Sequence, residues 1–432
     1  KYSIGKCERC GTIIEPYLST QWFVRMKEMA KPAIEAVKKG EIKFHPERWK
    51  GVFLNWMYNI KDWCISRQIW WGHRMPVYEC KNCDYYEVSE KPVSQCPKCG
   101  SPMEQIKDVL DTWFSSWLWP FATFGWPEDT PDLKRFYPTN LLVTGPEIIF
   151  FWVARMIMAG FEFMGQKPFS DIYIHGTVRD EKGRKMSKSL GNTIDPLTIV
   201  EKYGVDALRF GLLNAGKEGA DPHISENTFE TGRNFANKLW NAFRLIMLMK
   251  KEEVKEHTEI LPDKWIKSRA NKLIEKVTKC LENYRINEPL MSIYEFFWHE
   301  FCDWYLEIIK LTGYVKIAED ILKKVLKLLH PFIPFITEEI WHRLTGEEES
   351  IIMSGWPQKE EKEIDEKAED NMELIKSVIT SIRNVRASAQ IPKKEKLDVY
   401  ISADKESERI IKENEFIIQG LSGVGKIEFK KE

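Results

Sequence analysis

The fold is decided by residues 171–204, "DIYIHGTVRDEKGRKMSKSLGNTIDPLTIVEKYG". This stretch begins with an apolar, strand-like segment and ends with an amphipathic, helix-like segment. Asp195 and Pro196 have the residue types of a helix N-cap and a first helical position. We call residues 177–195, which join the two segments, the lysine loop. A loop that is rich in glycine, serine and basic side chains, and that lies between a strand and a helix, is suited to binding phosphates.

The same alternation occurs just upstream. The apolar run "NLLV" (140–143) is followed by a turn and then by the long apolar run 148–165. Repeated strand–turn–helix units predict a Rossmann-type α/β fold, with a parallel sheet and helices on its faces. Ligands of such sheets bind at the carboxyl ends of the strands, where both turns lie. The run 148–165 contains Arg155 and Glu162 and is short for a membrane span, which favours a buried helix.

Three regions are predicted along the chain. Residues 1–225 form the α/β region, which opens with a connecting segment (1–50) that holds one helix, "PAIEAVKKG". Residues 226–347 contain amphipathic segments with apolar side chains three and four positions apart, which predict a helical bundle. Residues 348–432 mix one helix with short strands and predict a small α+β unit. The run "GLSGVGK" (420–426) has the spacing of a P-loop but is followed by Ile427 and a strand-like segment, so we do not interpret it as one.

Composition limits the functional classes. The chain has 432 residues, of which 30% are charged and 43% hydrophobic, as in an ordinary globular protein. The formal net charge is −1, so any surface that binds nucleic acid must be a local patch. Eleven of the 17 tryptophans fall within residues 1–152, which indicates either an aromatic-walled cavity or a Trp-rich core. We expect a cytoplasmic protein with no membrane partner, because no signal-peptide pattern is present.

Four cysteines have the spacing of a zinc knuckle: Cys80, Cys83, Cys96 and Cys99. In a reducing compartment this pattern predicts four thiolate ligands for Zn²⁺, not a disulfide framework. We expect the zinc to be structural, because four thiolates leave no position for a catalytic water.

Cys7 and Cys10 repeat half of that pattern near the start of the chain. Two thiolates do not complete a tetrahedral zinc site. The sequence leaves two readings open: half of a second zinc site, whose other pair of cysteines lies upstream of this chain, or a surface turn without zinc.

Together, several motifs resemble the class I aminoacyl-tRNA synthetases. "KMSKS" (185–189) is similar to a signature of that family, and further similar stretches follow one another in the family's order over most of the chain. The most informative stretches are "NWMYNIKDWCISRQIWWGHRMP" (55–76), "DVLDTWFSSWLWPFATFGWP" (108–127), "TGPEIIFFWVARMIMAG" (144–160), "NFANKLWNA" (234–242) and "LLHPFIPFITEEIW" (328–341). The sequence "WWGHR" (70–74) resembles the valine-specific branch more than the isoleucine and leucine branches.

The resemblance implies an ATP-dependent activation of valine followed by transfer of the acyl group to tRNA(Val), with Mg²⁺ accompanying ATP. Lys185 and Lys188 match the lysines that bind the phosphates and are expected to be catalytic. The other residues expected to approach ATP are Gly145, Glu147, His175, Gly176, Met186 and Ser187. Many relatives have Phe-Asp where this chain has Pro146-Glu147, which leaves the role of that carboxylate open.

The resemblance also places the amino-acid pocket and the RNA surface. Ile148 and Trp152 are four apart at a helix start, hence on one face, and match positions that wall the amino-acid side chain, with Trp113 as a third wall; ordinary core packing explains the same spacing. The bundle resembles the family's anticodon-binding domain. Candidate tRNA contacts are Asn234, Lys238, Trp240, Arg244, Arg383 and Arg386.

One family signature, His-x-Gly-His or a near variant, does not occur in this sequence, and the family's inserted editing domain is also not found. We therefore expect the chain to be the C-terminal part of such an enzyme, with the N-terminal half as a further partner and little activation by the chain alone. Two other hypotheses remain: an isoleucine-type synthetase, and a non-catalytic tRNA-binding module that reuses the fold.

Overall fold

The computed structural model describes residues 3–7, 10–187, 190–216, 219–250, 257–346, 348–392 and 394–430. The chain divides into two compact units, Lys1–His175 and Gly176–Glu432.

The first unit is built from short strands around one parallel sheet, with helices packed on it. Its strands are β1 (Phe23–Val24), β2 (Lys43–His45), β3 (Trp63–Cys64), β4 (Ser66–Arg67), β5 (Val77–Cys80), β6 (Tyr86–Val88), β7 (Met103–Gln105), β8 (Val109–Leu110), β9 (Thr139–Thr144) and β10 (Phe169–Ile174). Its helices are α1 (Met26–Lys38), α2 (Arg48–Tyr58), α3 (Thr112–Ser116), α4 (Trp119–Ala122), α5 (Pro131–Phe136) and α6 (Ala154–Met164).

The predicted parallel sheet is confirmed. Its strand order is β2–β10–β9, and Asp171 of β10 lies opposite Leu141 of β9 and Lys43 of β2. The sequence predicted β9, α6 and β10 but assigned β2 to a connecting segment, because three residues are too few for a periodic pattern. The helix expected from Pro32 begins earlier, at Met26.

Helix α6 forms the centre of the first unit's core. Its residues from Ala154 to Gly160 are all buried, and Ile172 and Ile174 of β10 belong to the same hydrophobic cluster. A single helix over residues 148–165 was expected, but the chain first forms a 3₁₀ turn and a π-helical segment, so α6 begins only at Ala154. Apolar spacing does not distinguish these hydrogen-bond patterns, which explains the error. None of the helices in the described ranges is both long and apolar enough to span a membrane.

The second unit is mostly helical, and the helices expected between residues 226 and 347 lie within it. Its elements are α7 (Pro196–Tyr203), α8 (Val205–Ala215), α9 (Thr228–Met249), α10 (Leu261–Glu282), α11 (Asn287–Glu295), α12 (Leu306–Thr312), α13 (Lys316–Leu329), α14 (Pro334–Thr345), α15 (Glu366–Ser388), β11 (Leu397–Ile401), α16 (Lys405–Glu413), α17 (Glu415–Ser422) and β12 (Val424–Phe429). A π-helical segment joins α11 to α12.

One hydrophobic core runs through the bundle and the C-terminal α+β elements. Leu239 of α9, Ile274 of α10 and Ile379 of α15 are all fully buried in the same cluster. The strands β11 and β12 pair in parallel. As expected, residues 420–426 are no P-loop, because Gly423 ends α17 in the left-handed conformation and a strand follows directly.

Helix α8 holds the turn between α13 and α14 through two side chains. The carboxylate of Asp206 accepts hydrogen bonds from the N–H groups of Phe335 (3.2 Å) and Ile336 (2.7 Å), at the start of α14. The guanidinium of Arg209 donates to the carbonyl oxygens of Pro331 (2.9 Å) and Phe332 (2.8 Å). Asp206 thus caps a helix that lies far away in the sequence, and this contact fixes α8 against the bundle.

We expect the substitution Asp206→Ala to lower the free energy of unfolding of the second unit by about 1–2 kcal/mol, because it leaves two helix-terminal N–H groups without their acceptor. Urea unfolding followed by circular dichroism measures this change. The matched control is Glu201→Ala, which removes an exposed carboxylate from the neighbouring helix α7. Equal stability of the two variants would show that the cap contributes nothing.

Candidate functional site

The lysine loop enters α7 through the cap that the sequence predicted. Asp195 Oδ1 accepts the N–H of Leu197 at 2.9 Å, and Pro196 is the first helical residue. Ile199 of this helix is buried with Ile224 and Phe229. This small hydrophobic cluster anchors the end of the lysine loop.

The start of the lysine loop is fixed by a second backbone segment. Arg179 N–H donates to Pro222 O at 2.9 Å, and Ile224 N–H donates to Arg179 O at 3.0 Å. Asp221 accepts the N–H of Thr177 at 2.8 Å and Nε of Arg179 at 2.5 Å. These bonds hold the pKa of Asp221 below its usual range, with the Thr177 N–H as the largest cause.

Gly176 lies where this segment approaches most closely. A Cβ at this position would lie 2.0 Å from the carbonyl oxygen of Ala220, closer than any real contact. Only glycine fits at position 176, because the two backbones approach too closely for a side chain between them.

Inside the lysine loop, Lys185 is exposed. Its backbone forms an isolated antiparallel β-bridge with the backbone of Arg179. Met186 is partly buried against the cluster of Ile199 and Phe229, which fixes the backbone beside Lys185. Arg179 also donates through Nη1 to Gly183 O at 3.1 Å. Lys188, which was also predicted to act in this loop, lies outside the described residues.

A carboxylate and an amide that the sequence analysis missed tie the lysine loop together. Asp180 accepts four hydrogen bonds from residues of the loop, and Asn192 bonds to the backbone of both Ser187 and Lys185. These bonds hold the pKa of Asp180 well below its usual range, with the Asn192 amide as the largest cause. The only signal in the sequence was the presence of Asp and Asn in a glycine-containing turn.

In the first unit, the carboxyl ends of β9 and β10 bring together three of the predicted residues. His175 N–H donates to Thr144 O at 3.1 Å, so His175 lies beside the turn that follows β9. The Glu147 side chain folds back over this turn. Its Oε2 lies so close to Gly145 that a Cβ on that residue would be only 2.7 Å away. His175 and Glu147 are both exposed. Two exposed side chains, an imidazole and a carboxylate, thus lie at this edge of the sheet.

The predicted pocket residues lie on two elements that pack together. Trp113 of α3 stacks on Phe151 with ring centroids 5.9 Å apart, and Trp152 Nε1 donates to Ser116 O at 2.9 Å. Both tryptophans are half-buried against the core. Ile148 ends the 3₁₀ turn and Trp152 lies in the π-helical segment, so the expected α-helical spacing of these two residues is wrong.

A buried ion network lies under α3. Asp111 Oδ2 accepts hydrogen bonds from Trp63 Nε1 (2.7 Å) and pairs with Arg67 Nη2 (2.9 Å). Arg155 lies 3.8 Å from the same oxygen, and its guanidinium stacks 3.6 Å over the Trp63 ring. Burial lowers the pKa of Arg155 to about 10. Because Asp111 also caps α3 at the Trp113 N–H, this network holds the tryptophan in place.

The four cysteines of the predicted knuckle meet at one point. Sγ of Cys80 lies 3.5 Å from that of Cys99, and Cys83 lies 3.7 Å from Cys96 and 3.6 Å from Cys99. All four sulfurs lie within 4.8 Å of one another. Sulfurs bound to one tetrahedral zinc at about 2.3 Å lie about 3.8 Å apart. The residues present therefore fit Zn²⁺.

Cys7 and Cys10 form a turn like that of the knuckle. Gly11 N–H donates to Cys7 O at 2.9 Å with φ +72°, and Gly100 N–H donates to Cys96 O at 2.8 Å with φ +71°. In the part of the chain that the structure describes, no further cysteine joins this pair in a metal-binding group. The second zinc site therefore stays a prediction.

The candidate RNA contacts on α9 have different surroundings. Asn234 and Arg244 are exposed. Lys238 pairs with Asp303 at 3.0 Å, and Trp240 lies under the guanidinium of Arg343 at 5.4 Å.

The two arginines of α15 bind backbone carbonyls. Arg383 donates to Leu421 O through Nε at 3.1 Å and through Nη2 at 3.0 Å. Arg386 is buried and donates to the carbonyl oxygens of Gly423, Pro392 and Glu395. These three hydrogen bonds give Arg386 a structural role.

Comparison with protein families matches residues 12–225 to tRNA synthetases class I (I, L, M and V) and residues 263–401 to the anticodon-binding domain of tRNA ligase. The valine–tRNA ligase of Thermotoga maritima is 52% identical, and the match covers 100% of this chain and 50% of that protein. The valine–tRNA ligase of Pseudothermotoga lettingae is 51% identical, and the match covers 100% of this chain and 51% of that protein. The chain thus spans about half the length of these curated relatives.

Two solved structures share the fold at low identity. Methionyl-tRNA synthetase of Mycobacterium tuberculosis, in complex with methionyl-adenylate, matches with a TM-score of 0.61 at 19% identity, over 78% of this chain and 65% of that chain. The LeuRS of Agrobacterium radiobacter K84 agnB2, in a ternary complex with tRNA and LeuAMS, matches with a TM-score of 0.60 at 22% identity, over 71% of this chain and 43% of that chain.

Proposed function

The chain belongs to the class I tRNA synthetases, with valine–tRNA ligases as its relatives, and on that premise we propose that it carries part of the machinery that activates valine with ATP and transfers it to tRNA(Val). The observation that carries this proposal is the lysine loop, in which Lys185 is exposed while the backbone on both sides of it is fixed. A cation held in advance suits the negative charge that develops on a departing pyrophosphate.

The family motifs assign the groups of the proposed reaction. Lys185 is proposed to bind the phosphates of ATP, which arrives with Mg²⁺, and Lys188 is proposed to assist on the basis of the family motif. The sheet edge with His175, Gly145 and Glu147 is proposed, by the same resemblance, to receive adenosine and the substrate ammonium. Carboxyl ends of parallel strands are the usual ligand-binding edge of such sheets.

Trp113, Ile148 and Trp152 are proposed to wall the valine side chain. The two tryptophans are held by packing and by the bond from Trp152 to Ser116 O, so they offer a rigid apolar surface. A rigid apolar wall selects by size and excludes larger side chains. Zn²⁺ is proposed to have a structural role, because the four thiolates occupy every tetrahedral position. Free thiolates also require a reducing compartment, which favours the cytoplasm.

The exposed face of α9 is proposed to contact tRNA. Asn234 and Arg244 are open to solvent there, and Trp240 offers a partly exposed ring for stacking. Because Arg386 is buried, we do not include it among the tRNA contacts.

The edge of the parallel sheet is proposed to receive further strands from the part of the ligase that this chain does not span. In the described structure β9 is an edge strand, yet its Leu141 and Val143 are 38% and 55% exposed. Parallel strands are usually covered on both faces. The edge position of β9 leaves its outer backbone groups for further strands, and the exposed side chains of Leu141 and Val143 require an element that covers this face. We therefore expect the part of the ligase that this chain does not span to supply both.

The experiment that tests the function is valine-dependent ATP–pyrophosphate exchange. The chain is assayed alone and together with the part of the Thermotoga maritima ligase that it does not span. Exchange that requires both parts supports the proposal. Isoleucine dependence would indicate an isoleucine-type synthetase. Tight tRNA binding without exchange in either case would indicate a non-catalytic RNA-binding module.

Threonine should be activated by the assembled enzyme only about 10² times less efficiently than valine, because an apolar pocket rejects an isosteric hydroxyl weakly. This ratio is the general value for valine–tRNA ligases and is not calculated from this structure. The ratio of kcat/KM for the two amino acids in the exchange assay measures it. A ratio above about 10⁴ would require a polar group in the pocket that pairs selectively, and would contradict the apolar wall.

A further inference from the structure

We propose that Asp180 and Asn192 are positioning residues that hold the lysine loop in a shape ready for phosphates. The proposal rests on the proposed function of Lys185, but its structural part can be tested separately. We call the two residues, with Arg184, the loop clamp.

Asp180 forms the centre of the loop clamp. Its Oδ1 accepts the backbone N–H groups of Lys182 (3.0 Å) and Arg184 (2.8 Å), and its Oδ2 accepts Arg184 Nε (2.8 Å) and Asn192 Nδ2 (3.0 Å). Both oxygens therefore have two donors each. The carboxylate is only 13% exposed.

Asn192 carries the clamp across the loop. Its Oδ1 accepts the N–H of Ser187 at 3.0 Å, and its Nδ2 reaches the carbonyl oxygen of Lys185 at 3.4 Å. The amide thus bonds to the backbone of both Lys185 and Ser187. This requires one acceptor and two donated hydrogens on a single side chain, which an asparagine has and an aspartate does not.

The clamp also solves an electrostatic problem. A carboxylate near a phosphate site repels the phosphate unless its charge is matched. Arg184 and the other donors match the charge of Asp180, so this carboxylate repels a phosphate at the loop less than an unpaired carboxylate would. Ordering the loop before the ligand arrives also reduces the entropy that is lost on binding.

The test compares Asn192→Asp and Asp180→Asn with the control Glu181→Gln, which neutralises an exposed carboxylate next to the clamp. The first measurement is hydrogen exchange of the N–H groups of Lys182, Arg184 and Ser187 in this chain. The second is the dependence of pyrophosphate exchange on ATP and on valine, in the assembled enzyme. Thermal melting of the second unit checks that each variant is folded.

In both clamp variants we expect these N–H groups to exchange at least about tenfold faster. We also expect kcat/KM for ATP to fall at least about tenfold, whereas the KM for valine stays unchanged. The control Glu181→Gln should behave like the unaltered protein in both measurements. Unchanged hydrogen exchange would show that the clamp is not formed. Faster hydrogen exchange with unchanged ATP kinetics would show that the clamp is only structural. If Lys185→Ala leaves exchange activity intact, the proposed function of the loop fails instead, whatever the clamp does.

Discussion

Replacement of Lys185 by alanine should lower valine-dependent ATP–pyrophosphate exchange by two to three decades in the assembled enzyme. Activation places negative charge on the leaving pyrophosphate, and a cation held in advance stabilises that charge more in the transition state than in the ground state. Removing one such group typically costs about 3–4 kcal/mol of activation free energy, which corresponds to this loss in rate. Single-turnover formation of valyl-adenylate measures the effect on the chemical step.

The matched control is Lys182→Ala. Lys182 is an exposed lysine of the same loop, and only its backbone N–H takes part in the loop clamp. This substitution removes one positive charge from the lysine loop and leaves Lys185 in place. If both variants lost activity equally, a general positive potential would explain the effect, and the specific role of Lys185 would be wrong.

The sequence was informative where chemistry depends on local spacing. The four cysteines with their two-residue gaps, the strand before the lysine loop and the Asp195-Pro196 helix start are all found as predicted. Each of these signals is contained in a few consecutive residues, so tertiary context had little chance to override it.

The parts that could not be predicted depend on partners distant in sequence. Arg155 looked like one charge in an apolar run, but it is paired with Asp111 and stacked on Trp63. Arg386 looked like a surface cation, but its donors are taken by carbonyl groups of the loop that follows α15 and of Gly423, which ends α17. No periodic pattern reports such pairs, because side-chain hydrogen bonds leave no repeat in the sequence.

Backbone irregularity is the second source of error. The π-helical segment between Ile148 and Ala154 moves side chains off the α-helical spacing that the pocket prediction assumed. Such segments are frequent at functional sites, which agrees with the proposed pocket. The local geometry of Ile148 and Trp152 could therefore not be derived from the sequence, and their role as walls of a pocket stays a prediction.

Loss of zinc should unfold the knuckle (residues 77–105) while leaving the second unit intact. The hydrophobic cluster that belongs to this region alone has three buried residues, Tyr78, Cys96 and Met103, because the buried Val77 packs in the larger core of the first unit. Such a cluster is far too small to fold without a further constraint. Structural zinc contributes about 10–16 kcal/mol to small domains of this kind. We therefore expect Cys96→Ser to release the metal and to remove hydrogen-exchange protection throughout the knuckle.

Metal content and hydrogen exchange together decide whether this is correct. The control Cys64→Ser changes a half-buried thiol outside the cluster and should keep its zinc. Cys10→Ser tests the turn at Cys7: an unchanged zinc content would assign all bound metal to the four-cysteine site, whereas a lower content would show that the half-site binds metal in this chain. If Cys96→Ser kept its protection, the β5–β6–β7 sheet would have to be stable through its own hydrogen bonds. A three-stranded sheet of three- and four-residue strands is too small to be stable by itself, so we expect a bound metal to supply the stability of this region.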